Sequence, residues 1–378
     1  MYVSSKLTVP SQPLTDAVNR TWTDVFERLM AAQLPRASQE DELLRAHWRM
    51  AYDPQPRNWE GSKSVKHRFD VRRHADHRRL LAELHGYTDG LRSGSLAYCD
   101  AQNPSRHDAF ADFAEQQLRL EVIAQSHKLV RLGNVAPFLP LLMAVRLKFP
   151  GDGEAYARVL RMSERFAFRV YRLARRRADA GQGDLFAAAY AVFSGRVTIE
   201  HALSRMRSVL LEYCSQREFE LELTEPAKNW YDWIGLKYFL YEYEQHLADV
   251  RGDAVQLPWN EINRRDREQS IEHVLPQTPT DEYWRARFSE ADVAELLNDL
   301  GNLSLTGHNT SYGNRPFPEK KGDAGQHAPC YANSNLFLER ELARYEDWNP
   351  DTVRERRRLL IDWALERWGI PETVEPGP

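Results

Sequence analysis

The sequence predicts a mainly α protein: a helical body over residues 1–255, then a small ββα domain embedded in helices over 256–378. Three observations predict it. Up to about residue 255 the apolar residues recur at helical spacing, with little of the alternation a strand needs. Breaks such as Pro150-Gly-Asp-Gly and Ala180-Gly-Gln-Gly punctuate that pattern and divide it into helices. From about Pro258 the texture changes: apolar runs shorten, Asn, Gly and Pro multiply, and the short runs 271–275 and 303–305 read as strands.

Taken in order, residues 15–30 place Val18, Trp22, Val25, Phe26 and Leu29 on one amphipathic face. Ser38 with Asp41 opens a second helix through Leu43, Leu44, His47 and Trp48, and 53–58 is a loop. A basic stretch, 64–79, leads into a helix carrying Leu80, Leu81, Leu84 and Tyr87. Helices are then expected over 108–130, from Pro137 to about 148, over 154–178 as the longest, and over 185–193, 198–214 and 230–247. In the second domain, 281–300 reads as a helix. A short helix or turn follows over 310–320, broken by Pro316 and Pro318, then helices over 331–345 and 351–368.

A chain of 378 residues suggests two or three domains with real cores. With 42% hydrophobic and 28% charged residues it belongs with soluble globular proteins, not with disordered or membrane classes. The longest apolar stretch, 135–145, is too short to span a bilayer and holds two prolines. The N-terminus lacks the apolar core of a signal peptide. Cys99, Cys214 and Cys330 form no CxxC pair, which argues against a zinc site or a disulfide framework; a reducing cytoplasm is the expected location. The net charge of −4 does not advertise nucleic-acid binding, yet 66–79 and 165–177 are strongly basic, and local patches count more than the total.

The chemistry is expected at Ser270-Ile-Glu-His-Val-Leu-Pro-Gln277, read with Gly301-Asn-Leu-Ser-Leu-Thr-Gly-His-Asn309. Phosphodiester hydrolysis needs an activated water and neutralised charge at the phosphate and leaving oxygen; one divalent ion serves the second need. His273, with a pKa near neutrality, suits the first as general base. Glu272 offers a carboxylate and Asn309 an amide oxygen to a hard ion such as magnesium. Asn302 is the asparagine that holds the intervening loop through side-chain to backbone bonds. Singly, each has a plainer reading, a surface Glu-His pair or a helix cap at Asn309. Together and in this order they read as a one-metal ββα nuclease core.

The run Glu272-His-Val-Leu-Pro-Gln, then Gly301-Asn-Leu-Ser-Leu, Asn309, Asn314-Arg-Pro-Phe317-Pro-Glu-Lys320, Tyr331-Ala-Asn-Ser334, Trp348, Arg356 and Trp363 resembles the HNH-type (His-Me finger) C-terminal domain of GmrSD-type, modification-dependent restriction and phage-defence proteins. More distantly it is similar to the HNH domain of RNA-guided nucleases. The resemblance is specific over about 255–370. It implies a metal-dependent DNA endonuclease in which Glu272 and Asn309 hold Mg2+ or Mn2+, His273 activates water and Asn302 is the central asparagine. Lys320 and Lys321 match the family's Phe-x-x-Lys element, which implies a place near a phosphate; solvated lysines are the plainer reading. Such proteins usually carry a ParB-like nucleotide-hydrolysing half with an Asp-Gly-Gln-Gln-Arg motif. That motif is missing here, so the chain is expected to be either a separate effector subunit, with a sensor subunit as partner beside DNA, or a truncated one; no membrane is expected. The alternative is an inactive HNH scaffold that binds DNA or a partner.

Two further features bear on DNA. Arg165, Arg169, Arg172 and Arg176 follow i, i+4, i+7, i+11 spacing and are expected to share one helix face. Guanidinium forks suit phosphates, though a salt-bridged stripe fits the same spacing. His67, His74 and His77, set among Arg and Lys, read as a contact patch rather than a metal site. The aromatic run Tyr238, Phe239, Tyr241 and Tyr243 reads as core packing on a helix.

Overall fold

The computed structural model describes residues 12–34, 37–226 and 228–370. The chain separates into two compact units. The first runs to Tyr171 and resumes over Arg175–Ser215; the second takes Arg172–Ala174 and the chain from Gln216 on. The sequence placed the boundary near residue 256. The aromatic helix Leu236–Arg251 is the reason for the difference, because it packs against the helix Phe337–Leu342 and so belongs to the second unit.

The first unit is helical. Leu139–Lys148 lies at its centre, with every residue from Leu139 to Arg146 buried. A helix apolar all round belongs in a core, and this one packs against Ala37–Ala51, His77–Gln102 and Gln182–Phe193. Caps set the other starts: Asp76 accepts from the Arg78 and Arg79 amides, and Asp152 from that of Ala155. The longest helix is His77–Gln102, not the one expected over 154–178. The latter is α-helical only over Gly153–Phe166, then winds as a π-helix over Ala167–Leu173. The change of pitch breaks the α register on which the arginine stripe depends. Arg169 is fully buried and donates to the Cys214 carbonyl at 2.8 Å, Arg165 and Arg172 are half-buried, and only Arg176 is exposed. The four do not form one phosphate-facing row.

In the second unit, β1 (Ile271–His273) and β2 (Leu303–Leu305) pair antiparallel, Ile271 opposite Leu305 and His273 opposite Leu303. They are the only strands among the described residues. Between them the expected helix over 281–300 is two: Glu282–Arg285, and Glu290–Leu296 opened by a Ser289–Asp292 capping box. The region 310–320 likewise gives two short helices, Asn309–Tyr312 and Phe317–Lys321. Leu236–Arg251 and Phe337–Leu342 both pack on β2, and Pro350–Trp368 packs on the turn Leu300–Asn302 that leads into it. Under the strands lies a core that includes Val274, Leu275, Trp284, Phe317, Tyr331 and Trp348. Tyr238, Phe239, Tyr241 and Tyr243 are buried, as core packing requires. Among the described residues, no helix is long and apolar enough to cross a membrane.

Candidate active site

Successive residues of a strand face opposite sides, and β1 uses both. Glu272 turns inward. Its Oε1 accepts from Lys320 Nζ at 2.7 Å and from the Tyr331 hydroxyl at 2.7 Å. Burial pushes the carboxyl up from its ordinary value, while the Lys320 charge and the two hydrogen bonds pull it down. His273 turns the other way. Its ring lies 4.6 Å from that of Tyr231, and its Nε2 is 3.1 Å from Asn298 Oδ1. An amide oxygen accepts, so in this arrangement Nε2 carries the proton and Nδ1 keeps the lone pair. Burial lowers the imidazole pKa to about 4, so the ring is neutral near pH 7, as a general base must be.

Glu272 and His273 both border an open cavity of about 170 Å³, together with Tyr231, Glu268, Gln277 and Asn314. Glu268 is exposed on the short helix Arg267–Ser270, which packs beside Asn309–Tyr312. Sequence reasoning missed Tyr231, Glu268 and Asn298. Only Glu268 had a local signal, an acid one turn before β1; the other two reach His273 through the fold.

Asn302 is buried between the two strands' connecting segments. Its Oδ1 accepts from the Leu275 amide at 2.7 Å and from Trp348 Nε1 at 3.3 Å. Its Nδ2 donates to the carbonyls of Leu275 at 3.0 Å and Leu297 at 2.8 Å. The chain leaving β1 is thereby pinned to the turn entering β2. Asn302 is a brace and touches no solvent.

The two lysines are not where a phosphate contact would put them. Lys320 is buried, with Nζ bonded to Glu272 and to the carbonyls of His273 and Val274. Phe317 anchors its short helix in the core and draws the lysine inward. Lys321 is half-buried and donates to the Tyr345 carbonyl at 2.8 Å. Asn309 opens the helix Asn309–Tyr312, but its side chain lies outside the described residues, as does that of His77. His67 contacts Arg73, and His74 bonds the Arg68 carbonyl at 2.7 Å.

Among the described residues no group of three or more His, Cys, Asp and Glu side chains could hold a metal ion. Four of the residues that border the cavity, Glu268, Glu272, Gln277 and Asn314, carry a side-chain oxygen. Such donors fit a hard divalent ion that keeps several of its waters, and do not fit a soft or fully protein-caged one.

Residues 213–363 match the family of GmrSD restriction endonucleases, C-terminal domain. The match begins beside the start of the second unit and takes in β1, β2, Lys320 and most of the last helix. It points to function of the restriction endonuclease type. No curated protein matches the chain.

Proposed function

We propose that the second unit is a divalent-metal-dependent DNA endonuclease of the HNH (His-Me finger) type, with the ββα core formed by β1, β2 and Asn309–Tyr312. One observation carries this reading: a neutral histidine stands at the edge of a cavity it shares with Glu268 and Glu272, with one ring nitrogen already committed to Asn298. His273 Nδ1 takes a proton from water, the hydroxide attacks phosphorus in line, the P–O bond to the leaving sugar oxygen breaks, and that oxygen takes a proton from solvent. A bound Mg2+ or Mn2+ supplies charge neutralisation at the phosphate, and Glu272, Glu268 and Asn309 are the side chains that would hold it. Tyr231 packs on the imidazole and, with the Asn298 bond, restricts its rotation. The biological setting that fits is restriction of foreign DNA in the cytoplasm, with a separate nucleotide-hydrolysing sensor subunit deciding when cleavage occurs.

Plasmid nicking with magnesium or manganese, against EDTA, tests the reading. His273→Ala is expected to lose about a hundredfold or more in rate, the scale of a lost general base, with folding intact. Full activity in that variant removes the mechanism. The tight hold of Lys320 on Glu272 favours a second reading, an inactive scaffold that binds DNA or a partner. DNA binding without cleavage under either metal would select it.

A further inference from the structure

Resting on that nuclease reading, we propose that Lys320 and Tyr331 are positioning residues, a clamp that fixes the Glu272 carboxylate and the His273 backbone relative to each other, and that Lys320 does not contact DNA.

An ammonium has three donors, and all three are engaged: Glu272 Oε1 at 2.7 Å, the His273 carbonyl at 3.0 Å and the Val274 carbonyl at 3.1 Å. The side chain is fully buried, so no donor is left for a phosphate and no path leads to one. Two of the three bonds go to main chain, which ties the lysine to the strand exit as well as to the carboxylate. Tyr331 approaches the same Oε1 at 2.7 Å, and two donors on one oxygen restrict rotation of the carboxylate. Glu272 itself borders the cavity beside His273.

The clamp is joined to the brace. Phe317, on the helix that carries Lys320, stacks on Trp348 at 5.4 Å, and Trp348 Nε1 donates to Asn302 Oδ1. Lys320 and Asn302 therefore hold three successive residues, His273, Val274 and Leu275, from one aromatic platform. A buried ion pair is weak evidence for stability, since desolvation offsets most of its attraction. Setting the geometry of a reactive neighbour is a use that justifies it.

The test uses the full chain and three versions of it: unaltered, Lys320→Met and Tyr331→Phe. Each is measured for nicking kcat and KM, and for duplex DNA affinity across a salt series. A positioning role predicts kcat down about 10- to 100-fold in both variants, the usual cost of removing a partner of a metal-site group, with DNA affinity and its salt slope unchanged. A phosphate contact predicts the reverse for Lys320→Met: weaker DNA binding, a salt slope smaller by about one, and little change in kcat. That result overturns the proposal. If Lys320→Met fails to fold, Tyr331→Phe decides alone, because it deletes one hydrogen bond from an uncharged donor and keeps the charge pair. Full kcat in Tyr331→Phe then refutes the clamp, and a loss with unchanged DNA affinity supports it. No nicking by the unaltered chain removes the nuclease reading and the clamp with it. Normal nicking by all three removes the clamp only.

Discussion

Asn302→Ala should loosen the exit of β1 more than its side-chain volume suggests. The amide makes four hydrogen bonds in a fully buried position: it accepts from the Leu275 N–H and the Trp348 indole, and donates to the Leu275 and Leu297 carbonyls. Each bond contributes about 1 kcal/mol net, and a buried partner left unmet costs about 1–3 kcal/mol. Alanine leaves all four partners unmet at once. Partial relaxation and water entry reduce the sum, so about 4 kcal/mol is expected, at the upper end for one substitution. The local observable is hydrogen exchange at the Leu275 amide, which the Asn302 oxygen covers. At roughly 1.4 kcal/mol per factor of ten, its exchange should speed by about a thousandfold. A change below tenfold would refute the assignment of Asn302 as the brace. Asn302→Asp is a sharper control. It keeps the oxygen toward Leu275 N–H and places a second oxygen against two carbonyls, so it should be at least as damaging as alanine.

Gly301→Ala should destabilise the second unit by about 3 kcal/mol, the scale of core overpacking. Its added Cβ would stand 2.1 Å from the Val353 carbonyl, which forces the helix Pro350–Trp368 outward; an unchanged melting temperature would contradict this. Glu339 is fully buried, and burial, with the nearby Glu272 charge, raises its pKa from 4.5 to about 8 against the pull of its hydrogen bonds. The native state thus keeps a proton that the unfolded chain releases, so this group makes stability fall as pH rises from about 4.5 to about 8, by up to about 1.4 kcal/mol per pH unit. Glu339→Gln cannot ionise, and its advantage over the unaltered chain should widen across that window and level off above it. Urea midpoints at about pH 5, 7 and 9 measure the difference, and parallel curves would rule the effect out.

Periodicity revealed the body because amphipathic helices announce themselves locally, as at residues 15–30, observed as Gln12–Ala31. β2 was legible for a different reason: three apolar-flanked residues between a Gly-Asn turn and a Thr-Gly turn leave few other choices. Asn302 was legible only jointly with His273, since an Asn-Leu pair carries nothing alone. The burial of Lys320 was not legible. After Phe-Pro-Glu at the end of a short helix a lysine reads as solvated, and the carboxylate that draws it in lies 48 positions away. The arginine stripe failed on pitch. Its spacing assumes an α-helix throughout, and nothing in Ala167–Leu173 marks the π turn that separates those side chains. The second unit's claim on Leu236–Arg251 was equally hidden, because the helix is decided by Glu244, whose carboxylate accepts from the Phe337 and Leu338 amides.

These cases share a cause that bears on which polar residues do chemistry. A two-stranded ladder of three residues a side is too short to hold itself in water. Here side-chain donors supply what further strands would. Lys320 takes the carbonyls of residues 273 and 274, Asn302 those of 275 and 297, and Arg356 those of 301 and 303, at 2.7 and 2.8 Å. All three donors follow β1 in the chain, and all three are buried. Read from sequence alone, Lys320 resembles a phosphate contact. The Lys320 and Asn302 donors are consumed by main chain and by Glu272, and Arg356 Nη1 by two carbonyls, so on the proposed nuclease reading substrate and water are left to His273 and the residues that share its cavity. On that reading the reactive surface is smaller than the motif, and most of the motif is the frame that holds one imidazole still.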